Sequence, residues 1–233
     1  YTIIRKNLSD YWNGTKLKIL KDKNKEITKF LISTNIREFM SIFNKNMDVI
    51  ILGYFRNPFE IGIYKIAKNV VEILIFVINP LYIVIYPWLT KMWAAEKKIE
   101  IIQSVKKLTI ILGIAILFIS LITVVLAPLI ITLTVGNEFI KAVTPIRIMI
   151  WGSAIASIFF WLSPFFLSIG KPAFLTRVNT FSAVTMLILS LIVTYYFGYI
   201  GTSIMYIYPY FVIHLIALLM FSRITKGIKH ENN

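Results

Sequence analysis

Apolar residues in this chain gather into long, nearly unbroken stretches separated by short polar punctuation. Runs of eighteen or more mostly apolar residues are candidates for crossing a bilayer, because about 20 residues at 1.5 Å each cover its hydrocarbon core. Six spans are predicted: A at 30–54, B at 62–90, C at 108–134, D at 146–169, E at 174–197 and F at 201–221. Pro80 and Pro87 lie in B, Pro128 near the far end of C, Pro164 in D and Pro209 in F, while Pro145 precedes D and the turn Gly170-Lys171-Pro172 precedes E. Proline inside a membrane helix predicts a kink, tolerated where neighbours re-satisfy the freed carbonyl. The expected fold is all-α, a polytopic membrane protein. A basic segment, 1–29, leads into a six-helix transmembrane bundle at 30–222, and a tail, 223–233, follows.

Composition supports this reading. The chain is 58% hydrophobic and 15% charged, with a mean hydropathy of +0.75, too apolar for a soluble domain of its length. No short apolar stretch with a small-residue cleavage site opens it, so no signal peptide is expected. The first residue is Tyr and the first 27 residues are polar and basic, which suggests a piece of a longer protein cut at a loop. There is no cysteine, which removes disulfide and thiolate chemistry.

A net charge of +14 invites a nucleic-acid reading, but the placement of the charge opposes it. Eighteen Lys and Arg fall before A, between B and C, around the D–E turn (Lys171 and Arg177), or after F; the opposite side holds only Arg56, Lys141 and Arg147. The positive-inside rule then predicts a cytoplasmic-membrane protein with both termini in the cytoplasm. Anionic membrane lipids are the expected neighbours, and no nucleic-acid partner is expected. Tyr86, Trp88 and Trp93 at the inner end of B, and Tyr195, Tyr196, Phe197 and Tyr199 at the outer end of E, match interfacial belts.

The remaining four cations, Arg37, Lys45, Lys65 and Lys68, lie in spans A and B, together with Glu38, Asp48 and Glu72. At the centre of a membrane helix each charge costs roughly 2.5–3.5 kcal/mol on insertion scales. On a helical wheel Arg37, Ser41, Asn44, Lys45 and Asp48 fall within about 100° of one another, and so do Lys65, Lys68, Asn69, Glu72 and Asn79. Two polar stripes on consecutive helices predict one wall of a wet cavity with a cationic excess, suited to a phosphate or pyrophosphate. The alternatives are structural ion pairs at Lys45–Asp48 and Lys68–Glu72, and snorkelling of Arg37 and Lys65 toward the head groups. His214 reads as a hydrogen-bonded interior side chain, with a proton relay as the alternative. With two histidines, no HExxH, no phosphate-binding Gly loop and short outer loops, neither an enzyme nor a metal or other cofactor is expected.

Asp48 with Ile51-Leu52-Gly53-Tyr54-Phe55, then Glu60-Ile61-Gly62-Ile63-Tyr64-Lys65-Ile66-Ala67, resembles the seventh-to-eighth span junction of Wzx-type polysaccharide (O-antigen) flippases, members of the multidrug/oligosaccharidyl-lipid/polysaccharide (MOP) exporter superfamily. Val135-Gly136-Asn137-Glu138-Phe139, Gly170-Lys171-Pro172 and Phe197-Gly198-Tyr199-Ile200-Gly201 fit later loops of that family in order. The resemblance implies a transporter of two six-helix lobes, of which this chain would be the C-terminal one. The N-terminal lobe of the same protein would then be a missing partner. The cargo it implies is a polyprenyl-pyrophosphate-linked glycan, flipped across the cytoplasmic membrane by alternating access. Lys45 and Lys65, then Arg37 and Lys68, are the implied substrate-binding residues. Asp48, Glu72, Asn44 and Asn69 would orient them or couple to an ion. Competing readings are a small-molecule or drug exporter of the same fold, a membrane polysaccharide polymerase or ligase, and a structural subunit.

Overall fold

Helices form wherever the sequence offers a long apolar run, and proline and glycine decide where those helices bend or stop. The computed structural model describes residues 46–231, with side chains through Ile228; all of these but Asn46 belong to one unit, Met47–Asn233. Span A therefore lies largely outside the described residues. What is seen of it is helix α1, Asn46–Phe55.

Helix α2, Pro58–Ala94, begins on Asn57, whose side chain accepts the Glu60 N–H at 3.0 Å while Pro58 occupies the first turn. It runs on through Pro80 and Pro87. Helix α3, Lys98–Thr134, starts earlier than the apolar run of span C. Its first turns are amphipathic, with Ile101, Ile102 and Val105 buried and Gln103, Lys106 and Lys107 exposed, so packing rather than hydrocarbon holds them helical. A 3-10 turn, Asn137–Ala142, leads to α4, Val143–Ile158, and α5, Leu162–Ser168. Span D is thus broken at 159–161. Pro164 cannot donate to the Phe160 carbonyl and its ring crowds it, which ends one helix and starts the next.

The last run, α6, Pro172–Glu231, covers predicted spans E and F and carries helix into the predicted tail. It is not straight. At Gly198 the backbone takes φ 56 and ψ −139, a region open mainly to glycine. Tyr208 donates to Thr185 Oγ1 at 2.9 Å and the Thr194 and Thr202 hydroxyls lie 3.1 Å apart. In a straight helix, residues 23 apart would be about 35 Å apart, so the two arms fold back on each other as an antiparallel hairpin. Among the described residues four helical runs are long and apolar enough to cross a membrane: 58–94, 98–134, 137–168 and this hairpin.

Two apolar centres hold the bundle. One joins Leu52, Tyr64, Ala67, Val71, Ile131, Ile146, Met149, Ile150 and Tyr206 near the start of α2. The other joins Leu89, Ile101, Val105, Trp161, Phe165, Phe166 and Phe221 near its end. In the second centre Trp93, predicted as an interfacial residue, packs edge-on to Phe165 at 6.2 Å. Tyr195, Tyr196 and Phe197 are exposed, as a belt requires. Helix α4 packs against both α2 and α3, whereas α2 and α3 meet each other little. At α4, a Cβ on Gly152 would stand 3.1 Å from Ile207 Cα, so any other residue would push the α6 hairpin back by a few tenths of an ångström.

One proline is compensated from a neighbouring helix. Pro128 leaves the Val124 carbonyl without its N–H partner, and Arg147 on α4 donates its Nε–H to that oxygen at 3.2 Å. Arg147→Met is expected to lower stability in detergent by about 0.6–2 kcal/mol, the range for a cross-helix hydrogen bond. In a Pro128→Ala background, where the carbonyl regains an intrahelical donor, the same change should cost little. Equal losses in the two backgrounds, measured by thermal unfolding, would mean that Arg147 acts elsewhere.

Candidate functional site

The charged residues of α2 fall on two faces. Tyr64 and Lys68, one turn apart, point into the bundle; Lys65, Asn69 and Asn79 are exposed on a face that no described helix covers. Tyr64 is 0% exposed and Lys68 8%.

The inner face is organised by Asp48 of α1, itself 4% exposed. Tyr64 OH donates to its Oδ2 at 2.5 Å and Lys68 Nζ to the same oxygen at 2.7 Å. Its Oδ1 accepts the Val49 N–H at 2.8 Å. Three donors on one carboxylate offset much of the desolvation that burying the pair costs. The partner the structure gives Lys68 is thus Asp48, across the helix–helix interface, where the i,i+4 spacing had suggested Glu72. Lys45, the other suggested partner of Asp48, lies outside the described residues, as do Arg37, Glu38 and Asn44.

The polar interior continues beyond Asp48. Tyr206 and Ser153 share a hydrogen bond of 3.0 Å between α6 and α4, and the Tyr206 and Tyr210 rings lie 5.3 Å apart. Glu72, one turn beyond Lys68 on α2, is half-buried. Four helices thus meet through side chains of which sequence reasoning selected Asp48, Lys68 and Glu72 but not Tyr64, Ser153, Tyr206 or Tyr210. Tyr64 had a signal: it stands four residues before Lys68 and shares its face.

The outer face is simpler. Lys65 offers an ammonium with three donors, and Asn69, one turn on, offers an amide with both donor and acceptor. Together they suit an anion approaching α2 from the uncovered side. His214 reads as structural: its Nδ1–H donates to the Tyr210 carbonyl at 2.6 Å and its ring lies 6.2 Å from that of Phe159. At the α1–α2 junction Arg56 binds the Tyr195 carbonyl at 2.9 Å and lies 3.9 Å from Glu60. This ties the junction to the hairpin turn, where a Cβ on Gly198 would meet Glu60 Oε2 at 2.7 Å. Among the described residues no three His, Asp or Glu side chains gather as a metal site.

A family model described as polysaccharide biosynthesis protein matches residues 9–144. The match spans α1, α2 and α3 and so includes Asp48, Tyr64, Lys65, Lys68, Asn69 and Glu72. No curated protein and no solved structure matches the chain.

The Asp48–Lys68 pair predicts strong coupling between substitutions. Asp48→Ala or Lys68→Ala alone should each destabilise by about 3–5 kcal/mol, because each strands a buried charge. Asp48→Ala with Lys68→Ala together should cost clearly less than the two single changes added. A double-mutant cycle read by unfolding in detergent checks this, and strict additivity would contradict the geometry.

Proposed function

The chain belongs to the polysaccharide biosynthesis protein family, and on that premise we propose that it helps move a polyprenyl-pyrophosphate-linked oligosaccharide across the cytoplasmic membrane. The observation that carries the proposal is the two-faced charge of α2. Lys68 is held inside by Asp48, whereas Lys65 stands beside Asn69 on an uncovered face. A cation kept at that position within a membrane span is costly unless water or an anion meets it. A second set of helices facing α2, in the same polypeptide or another, would close a chamber over Lys65. Alternating access would come from rocking the two halves around it.

In this reading the protein is a transporter and not an enzyme. Lys65 holds the pyrophosphate, and Lys45 and Arg37, outside the described residues, remain the further candidates named from the sequence. Lys68, Asp48 and Tyr64 fix the angle at which α2 presents Lys65, and Glu72 lies between the two faces. The orientation follows from the cations near the second apolar centre: Lys91, Lys97, Lys98, Lys106, Lys107, Lys171, Arg177, Arg223 and Lys226 lie on segments ending there. The positive-inside rule puts that end in the cytoplasm and the start of α2 outside.

In cells whose surface-polysaccharide export depends on this protein, Lys65→Ala is expected to cut export at least tenfold at unchanged membrane abundance. Lys65→Arg should retain part of the activity, and Lys65→Glu none. Polysaccharide export with immunoblotted protein levels reads the result. Wild-type export from Lys65→Ala and Lys65→Glu would remove Lys65 from the site.

A further inference from the structure

Beside Lys65, the splay between α2 and α3 leaves a trough of about 390 Å³. Its walls are Ile66, Val70, Ile73 and Leu74 of α2 and residues 119–135 of α3, and Ile150 of α4 forms its floor. The polar residues on α3 do not make it polar. Thr123 donates to the Ile119 carbonyl at 2.9 Å and Thr134 to the Ile130 carbonyl at 2.6 Å, so each spends its hydroxyl within the helix. Asn69 alone brings an amide to the rim, one turn from Lys65.

Size limits the occupant. The trough follows about 12 Å of α2 and about 24 Å of α3 at 1.5 Å per residue. Spread over those lengths, its volume gives a section on the order of 16–33 Å². Carbon atoms in contact sit about 4 Å apart, so a hydrocarbon strand fits along it. A helix, whose diameter with side chains is about 10–12 Å, does not sink into it.

We propose that this trough receives the polyprenyl chain of the carrier lipid whose anionic head Lys65 and Asn69 hold, an inference that rests on the reading of Lys65 above. The occupant follows from the combination of features. The trough is apolar and elongated and has an amide at its rim, with the Lys65 cation one turn along α2 from that amide, so it complements an amphiphile with a long chain and a phosphorylated head. Two-chain phospholipids share the charge, and competition separates them from a single-chain carrier. From the rim the trough descends toward the middle of the bundle, away from the start of α2. A bound lipid would therefore have its head toward the side opposite the basic loops and its chain toward the bilayer centre. That is the orientation of a lipid already carried across, so the trough serves the state from which product leaves.

The test uses a long-chain polyprenyl monophosphate with a diazirine in its chain, added to the full chain in phosphatidylcholine nanodiscs. After photolysis, adducts are mapped by mass spectrometry. Adducts in 66–74 and 119–135 should exceed those in 110–118 at least fivefold; that last stretch of α3 is also apolar, and Ile110, Ile114 and Phe118 in it are exposed. Unlabelled polyprenyl phosphate should compete and phosphatidylglycerol should not. Filling the trough with Ile73→Trp and Thr123→Trp should reduce the adducts severalfold. Adducts spread evenly over the apolar surface, or competed equally by phosphatidylglycerol, would overturn the proposal by showing ordinary boundary lipid. So would labelling unaffected by the two tryptophans. The Lys65→Ala export assay separates the two ideas. Lost export without trough adducts sinks the trough alone, whereas trough adducts with export intact sink the role given to Lys65.

Discussion

A carboxylate inside an apolar bundle has to find donors, and Asp48 finds three. Two of them, Tyr64 and Lys68, come from one face of α2, so the carboxylate fixes how α2 is rotated about its axis beside α1. Had α2 turned by one residue so that Lys65 took the place of Tyr64, Lys68 would take that of Ala67, also 0% exposed, and the uncovered side would lose its ammonium. The rotation is determined by hydrogen bonds rather than by apolar burial, because hydrocarbon outside the bundle competes for apolar side chains almost as well as its interior does. The exposed placement of Lys65 and Asn69 is a geometric consequence of that single buried cluster.

Around it the helices are shaped by residues that interrupt them. Pro164 divides the third membrane run, Gly198 folds the fourth into a hairpin, and Pro128 frees a carbonyl that Arg147 takes up. Each interruption in lipid needs a partner for the backbone it exposes. At Pro128 and Gly198 those partners lie on neighbouring helices, so these two bends also become joints. The hairpin shows this best: Arg56 reaches the Tyr195 carbonyl beside Gly198, and Tyr206, farther along the returning arm, meets Ser153 of α4. On the proposed reading each half moves as a rigid body, and joints of this kind hold such a body together.

Much of this was legible in the sequence and some of it was not. Membrane-length runs are legible because hydrocarbon thickness imposes a length, and the loops were marked by Gly136, Gly170 and Gly198, which are the three glycines of positive φ among the described residues. The concentration of charge in spans A and B was visible too. The sorting of that charge was not. A helical wheel gave Lys65 and Lys68 one stripe, since 60° between them is small beside the width of a polar face. Whether each points inward or outward depends on where a neighbouring helix sets its carboxylate, and that is tertiary information. The i,i+4 spacing of Lys68 and Glu72 suggested the local pair, yet the structure gives Lys68 the better-buried carboxylate of α1. Tyr64 was passed over because a tyrosine in a membrane span is ordinarily a packing residue. Only the position of Asp48 makes its phenol a donor.

On the proposed reading, the chemistry of the two lysines explains why they are treated differently. A cation in a membrane span is stabilised by a permanent carboxylate or by something that comes and goes. Lys68 has the first, at 2.7 Å, and so belongs to the framework. Lys65 is left to the second. A transport site must bind tightly enough to be occupied and loosely enough to be emptied. A lone ammonium with an amide beside it meets that requirement better than a guanidinium would, because Lys holds phosphate as a point charge while Arg clamps it through two directed hydrogen bonds. An adjoining trough lined by hydrocarbon adds affinity for the chain without strengthening the grip on the head. Release of the charged end then remains possible while the chain slides back into lipid, a medium of nearly equal affinity for it.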